Sequence, residues 1–251
     1  MWGIIPAAGE GKRIQPLAFS KELLPIGFDQ LETQKKPRAV SDFIVERLII
    51  AGATKICFVI SSSKSDILRY HGPGRNGALF IYLVQPQPLG LCDAVFRPIE
   101  LIPDAEQILI GLPDTVWFPT DGFRLLPDHA LSFLLFPVTR PEHFDAVVVN
   151  RERIVELIQV KQQNPMTNYI WGAIKLNTEI YQDLYRLWLE RERKDEFLGT
   201  LVNAWLARGG RAYGIQEGSD YLDIGTIDGF HLAFSRLMNG YPAVSTSKPT
   251  E

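Results

Sequence analysis

Trp2-Gly3-Ile4-Ile5-Pro6-Ala7-Ala8-Gly9-Glu10-Gly11-Lys12-Arg13 is the stretch on which the fold turns. Residues 2–7 read as a buried strand, a short apolar run that stops at a glycine-rich turn. Glycines directly after a strand let backbone N–H groups approach phosphate oxygens. Cations complete such a cradle, and Arg13 can grip a phosphate through two parallel N–H bonds. A second cation, Lys21, follows in Ser20-Lys21-Glu22-Leu23-Leu24-Pro25. The turn is not a Walker loop, since no Gly-Lys-Ser/Thr is present. It also lacks the third glycine of the dinucleotide fingerprint, which tells against a nicotinamide-dependent dehydrogenase.

Outward from this turn, strand and helix alternate. Val40, Phe43, Ile44 and Leu48 fall on one helical face that ends at Gly52. Residues 55–61, 80–84 and 107–112 read as three further apolar strands, with residues 91–101 as a helix. This order predicts an α/β fold, a Rossmann-like doubly wound sheet with helices on both faces. Ligands of such sheets bind outside the carboxyl ends of the strands, so chemistry is expected at residues 7–21, 85–93 and 113–115. Residues 132–138, 144–150, 153–160 and 169–176 read as strands separated by short breaks, which predicts antiparallel pairing and hence a mixed sheet. Two amphipathic helices follow, one carrying Ile180, Leu184, Leu187 and Trp188, the other Phe197, Leu201, Val202, Trp205 and Leu206. A strand near residues 211–216 leads to Tyr221-Leu222-Asp223-Ile224-Gly225 and a last helix over residues 227–238. No repeat or linker intervenes, so residues 1–243 are expected to form one domain, with residues 244–251 a disordered polar tail.

Composition narrows the class. The 251 residues carry a formal net charge of -3 and are 46% hydrophobic, with no run of Lys or Arg. A nucleic-acid partner is therefore not expected, and no apolar stretch is long enough to predict a membrane span. The two cysteines, Cys57 and Cys92, lie in apolar or helical stretches and read as buried free thiols rather than a disulfide. With no signal-peptide pattern, a cytoplasmic location is expected. The four histidines, at positions 71, 129, 143 and 231, share no metal-site spacing.

Pro6-Ala7-Ala8-Gly9-x-Gly11-x-Arg13-x-x-Pro16, followed by Lys21-Glu22-Leu23-Leu24-Pro25-Ile26, resembles the opening signature of the sugar-1-phosphate nucleotidyltransferases, and most of all the glucose-1-phosphate thymidylyltransferases. The resemblance covers about residues 3–232 and implies that Ala8, Gly9 and Gly11 cradle a nucleoside triphosphate. It implies that Arg13 and Lys21 act on the leaving pyrophosphate, although the loop between them is two residues shorter than usual. Gln85-Pro86-Gln87-Pro88-Leu89-Gly90 is similar to the family's base-recognition segment, which assigns Gln85 and Gly90 to the base. Asp114, in Gly111-Leu112-Pro113-Asp114-Thr115, and Asp223, in Asp223-Ile224-Gly225-Thr226, match the family's two magnesium carboxylates. Two carboxylates with phosphate oxygens and water are the oxygen set that Mg²⁺ prefers.

At the sugar side the likeness is looser. Lys161, with Tyr169 and Gly172 after it, matches the segment that binds the sugar phosphate. There the family reads Glu-Lys-Pro and this chain Val160-Lys161-Gln162. Asp145 stands where the family has a glycine against the sugar, and Pro113 replaces a glycine before Asp114. The expected activity is transfer from thymidine or uridine triphosphate to a sugar 1-phosphate, glucose 1-phosphate first. The alternative is a homologue that holds a sugar nucleotide without turning it over. A homo-oligomer is compatible with either.

Overall fold

A computed structural model describes residues 1–31 and 34–238, so the expected tail at 244–251 lies outside the described residues. Strand β1 (Trp2–Pro6) runs into the glycine turn. A 3₁₀ turn at Lys21–Leu23 then leads to a hairpin of β2 (Pro25–Leu31) and β3 (Gln34–Ala39). Nothing in Gln34-Lys35-Lys36-Pro37-Arg38 alternates apolar with polar, so the hairpin left no period-2 signal.

The alternation follows as α1 (Val40–Ile50), β4 (Lys55–Ile60), α2 (Ser65–His71), β5 (Gly74–Arg75), β6 (Ala78–Val84) and α3 (Leu91–Phe96). Helix α3 is shorter than the expected 91–101. Pro98 carries no N–H for a helical bond, and only a 3₁₀ turn at Ile99–Leu101 follows. Then come β7 (Gln107–Gly111), β8 (Thr115–Phe118), β9 (Leu131–Pro137), β10 (Asp145–Val149), β11 (Val155–Val160) and β12 (Tyr169–Asn177). Asn177 caps α4 (Thr178–Glu190) by accepting from the Ile180 N–H at 3.0 Å. The described chain ends with α5 (Leu198–Ala207), β13 (Ala212–Ile215), β14 (Asp220–Asp223) and α6 (Ile227–Met238).

The main sheet runs β11-β10-β12-β7-β1-β4-β6-β5, with β9 paired to β12 and β13. Its centre is parallel, as β1 pairs with β4 and β7, and β4 with β6. Strand β12 turns antiparallel against β7, β9 and β10. Alternate residues of β1 face opposite layers. Trp2 and Ile4 pack with Phe96, Tyr181 and Trp188 of the α3–α4 layer. Ile5 packs with Ile44, Leu48 and Phe58 on the side of α1. Burial of each such side chain stabilises the fold by roughly 1.5–3 kcal/mol, so β1 is clamped from both faces. Strands β8 and β14 stand apart as a two-stranded antiparallel ribbon. No described helix is long and apolar enough to cross a membrane.

Candidate active site

Because β7, β1, β4 and β6 are parallel neighbours, their carboxyl ends open on one side. There the glycine turn after β1 and the Leu112-Pro113-Asp114 turn after β7 border a cavity of about 380 Å³. Of the residues singled out in the sequence, Gly9, Arg13, Lys21, Asp114, Asp145, Lys161 and Asp223 line it.

The charged end is built by the ribbon. Asp223, the last residue of β14, pairs in register with Thr115 of β8, the residue after Asp114. The Ile224 N–H donates to the Asp114 carbonyl at 2.9 Å, and the Gly225 N–H to Asp223 Oδ1 at 2.9 Å. A Cβ on Gly225 would stand 2.9 Å from Asp223 Oδ1, 2.9 Å from Arg13 Nη2 and 3.6 Å from Asp114 Oδ2. Two carboxylates and a guanidinium therefore converge on a position where the chain has no side chain.

Lys21 Nζ donates to Asp114 Oδ2, and both groups are largely buried. The short loop does not keep Lys21 from the cavity. Gly11, at φ +66°, makes room for its stem, since a Cβ there would lie 2.8 Å from Lys21 Cδ. Burial works against the Asp114 charge, but Lys21 outweighs it and holds the carboxyl below the usual carboxylate range. Burial also favours neutral Lys21, yet Asp114, Glu22 and Asp223 hold its ammonium above its ordinary value. The Asp223 carboxyl is pushed up, first by burial and then by the negative charge of Asp114, with only partial relief from Gly225, Arg13 and Lys21. Arg13 is exposed, its Nη2 3.8 Å from Asp223 Oδ2.

Among the described residues no three His, Cys, Asp or Glu gather as a metal cluster. The donor set is instead two carboxylates that repel one another. That set fits Mg²⁺, which commonly takes one or two protein carboxylates and completes its shell with phosphate oxygens and water.

The other end of the cavity is aromatic. Asp145 opens β10 and pairs in register with Val160 of the edge strand β11, so it stands beside Lys161. Trp171 Nε1 donates to Asp145 Oδ2 at 3.4 Å. Burial raises the Asp145 carboxyl above its usual range, against the pull of Trp171 and Lys161. Lys161 Nζ lies 4.3 Å from the centroid of the Phe197 ring, and Phe144 and Tyr221 complete the wall.

The remaining predicted residues lie outside this lining. Ala8 is buried in the glycine turn. Gln85 is buried, and its Nε2 donates to Asp93 Oδ2 at 2.7 Å and to the Gly90 carbonyl at 3.2 Å. Gly90, at φ +93°, packs against the Glu196 backbone, where a Cβ would meet Cα at 2.7 Å. Tyr169 packs on the core, and Gly172 lies beneath the Phe136 and Tyr221 rings.

Sequence reading missed Glu22, Trp171, Phe197, Tyr221 and Gly225 as cavity neighbours, although Glu22 and Gly225 sit inside the quoted motifs. It also missed Lys64. Its Nζ donates to the carbonyls of Ala7 at 2.8 Å and Gly9 at 2.6 Å, and to Glu22 Oε1 at 2.7 Å. A lone lysine in Ser61-Ser62-Ser63-Lys64-Ser65 carries no pattern that could have flagged it.

The profile of the nucleotidyl transferase family matches residues 2–240. The chain is 24% identical to the bifunctional protein GlmU of Methanocaldococcus jannaschii over 88% of its own length, and spans only 54% of that protein. It is also 24% identical to the glucose-1-phosphate adenylyltransferase of Rhodococcus opacus, over 96% of this chain and 68% of the relative. Among solved structures it is similar, at TM-score 0.80 and 21% identity over 96% of each chain, to a Bacillus anthracis protein assigned as a glucose-1-phosphate thymidylyltransferase and crystallised with sucrose. The UTP-bound UGPase of Acinetobacter baumannii matches at TM-score 0.75 and 20% identity, over 96% of this chain and 94% of that one. At such identities the structural likeness speaks for the fold.

Proposed function

The chain belongs to the nucleotidyl transferase family, and we propose that it moves a nucleotidyl group from thymidine or uridine triphosphate to a sugar 1-phosphate, glucose 1-phosphate first, releasing pyrophosphate. The observation that carries this reading is the convergence of Arg13, Lys21, Asp114 and Asp223 on the Gly225 side of one cavity, with Lys161 and Asp145 at its other end.

The reaction needs no covalent nucleophile from the protein. An oxygen of the sugar phosphate bonds to the α-phosphorus while the bond to the β-phosphate oxygen breaks opposite to it, and the electron pair leaves with pyrophosphate. Catalysis of this kind is positioning and charge neutralisation. Arg13 and Lys21 stabilise charge gathering on pyrophosphate, and Lys161 orients the attacking phosphate. Mg²⁺ held by Asp114 and Asp223 would neutralise phosphate charge between the two substrates.

The base assignment rests on Gln85. Its Nε2 is committed to Asp93 and Gly90, which leaves Oε1 with no hydrogen-bond partner among the described residues. An acceptor suits the N3–H that thymine and uracil both present, whereas cytosine presents an acceptor there. The departures from the family pattern at Pro113, Asp145 and Val160 favour a second reading, a homologue that binds without turnover. Pyrophosphate release decides between them. The four nucleoside triphosphates are crossed with a panel of sugar 1-phosphates, with Mg²⁺ and with a chelator. Release with thymidine or uridine triphosphate that depends on Mg²⁺ is expected. Tight binding without release under every pairing would establish the second reading.

A further inference from the structure

Lys64 follows β4 and does not itself line the cavity, but it holds two residues that do, Gly9 and Glu22. It is 7% exposed, and its three donors are all used: two on the glycine-turn carbonyls and one on the Glu22 carboxylate. A peptide is planar and trans, so its N–H points opposite to its carbonyl. Anchoring the Ala7 and Gly9 carbonyls on one ammonium therefore turns the N–H groups of Ala8 and Glu10 away from Lys64. Neither N–H has a hydrogen-bond partner among the described residues, although Ala8 is 4% exposed. The turn is buried at Ala7 and Ala8 and exposed at Gly9 and Glu10, and open amide donors held from behind by a buried cation make a preformed anion cradle.

The same ammonium reaches forward. Glu22 shares the 3₁₀ turn Lys21–Leu23 with Lys21, and Lys21 pairs with Asp114. The contacts thus form one chain: glycine-turn carbonyls, Lys64, Glu22, the Lys21 backbone, Lys21 Nζ, Asp114. Glu22 is 1% exposed and its Oε2 has no hydrogen-bond partner among the described residues, where Lys64 holds the carboxylate through Oε1.

We propose that Lys64 is a positioning residue for the triphosphate, clasping the glycine turn to the Lys21–Glu22 turn so that amide donors and the Lys21 ammonium are set in fixed relation before any ligand arrives. The inference rests on the reading of this cavity as a triphosphate site. It assigns Lys64 to the triphosphate side only, because nothing on the Asp145–Lys161 side touches it.

The test is equilibrium binding, which needs no turnover. Inorganic triphosphate, which has no base, and glucose 1-phosphate are titrated by calorimetry into the wild-type chain, Lys64→Met and Glu22→Gln, with a urea midpoint for each. Lys64→Met is expected to lose about tenfold or more in triphosphate affinity, the scale of hydrogen bonds from a charged group. Its glucose 1-phosphate affinity should stay within about twofold, since a purely structural loss would weaken both ligands alike. Glu22→Gln leaves the ammonium on both carbonyls and should lose less, in the same direction. That variant carries the test if Lys64→Met does not fold. Unchanged triphosphate affinity, or equal loss for both ligands, would overturn the assignment. A wild-type chain that binds nucleoside triphosphates but not inorganic triphosphate would overturn it too. Failure to bind any triphosphate would instead overturn the function on which it rests.

Discussion

The two ends of the cavity are built on different principles. At the ribbon end every charged group is tied to another: Lys21 to Asp114, Arg13 facing Asp223, and Lys64 on Glu22 and the glycine turn. At the far end a single carboxylate, Asp145, sits among aromatic rings with one indole N–H at 3.4 Å, and Lys161 rests on Phe197. On the proposed function the first end would take phosphate, whose charge is the same in every substrate. The second offers shape and a few polar contacts, which is where selection among ligands would reside. A common chemistry and a private specificity are thus separated along one cavity.

The largest effect should come from breaking the charged end. Asp114→Asn or Asp223→Asn should lower turnover by roughly 100-fold or more, the scale of a lost electrostatic stabiliser. The two variants should differ in stability. Asp223 is raised above the ordinary carboxylate value, so the folded chain holds its proton more tightly than the unfolded chain. Stability is gained as pH falls through that window and lost above it. Asp223→Asn should therefore raise the thermal midpoint by a few degrees at neutral pH. Asp114 is held below its ordinary value by Lys21, so Asp114→Asn should lower the midpoint. Steady-state rates and thermal melts read both, and near-normal turnover in the two variants would remove the assignment.

The next effect separates the ends kinetically. Arg13→Ala should reduce kcat by about tenfold to 100-fold with little change in triphosphate affinity, because its charge serves the departing pyrophosphate. Lys161→Ala should mainly raise the KM of the sugar phosphate. The same loss for both substrates in both variants would erase the division drawn above.

How far this division was legible in the sequence follows from locality. The glycine turn, Lys21, Asp114 and Asp223 stand in short runs whose spacing is fixed by one strand end each. Apolar strands at 2–7, 55–61 and 107–112 likewise declared the parallel centre of the sheet. Lys64 and Trp171 act through contacts made only once distant strands align, and a single residue leaves no periodicity. The β2–β3 hairpin was hidden for a different reason, since Pro37 and the Lys-rich strand around it resemble a loop.

A smaller effect tests the far end. Asp145 should disfavour a uronic acid 1-phosphate against glucose 1-phosphate by about tenfold, through like charges at short range in a partly dry site. Asp145→Gly should narrow that gap. Competition kinetics with both sugars measures it, and efficient use of the uronic acid by the unaltered chain would sink the inference. The smallest effect concerns the base. Thymidine triphosphate should exceed uridine triphosphate by tenfold or less, since one buried methyl contributes roughly 1 kcal/mol. Cytidine and guanosine triphosphates should be poor. A preference for guanosine triphosphate in a four-way competition would refute the role given to Gln85.

The β8–β14 ribbon has a mechanical consequence. Asp114 and Asp223 come from distant parts of the chain, yet the Thr115–Asp223 pairing and the Ile224-to-Asp114 bond make them neighbours on one small ribbon whose strands do not pair with the main sheet. The gap between the two carboxylates is set inside that ribbon, as the jaws of a caliper are set by its own frame. A ligand bridging both carboxylates would meet a spacing fixed by that pairing and that bond.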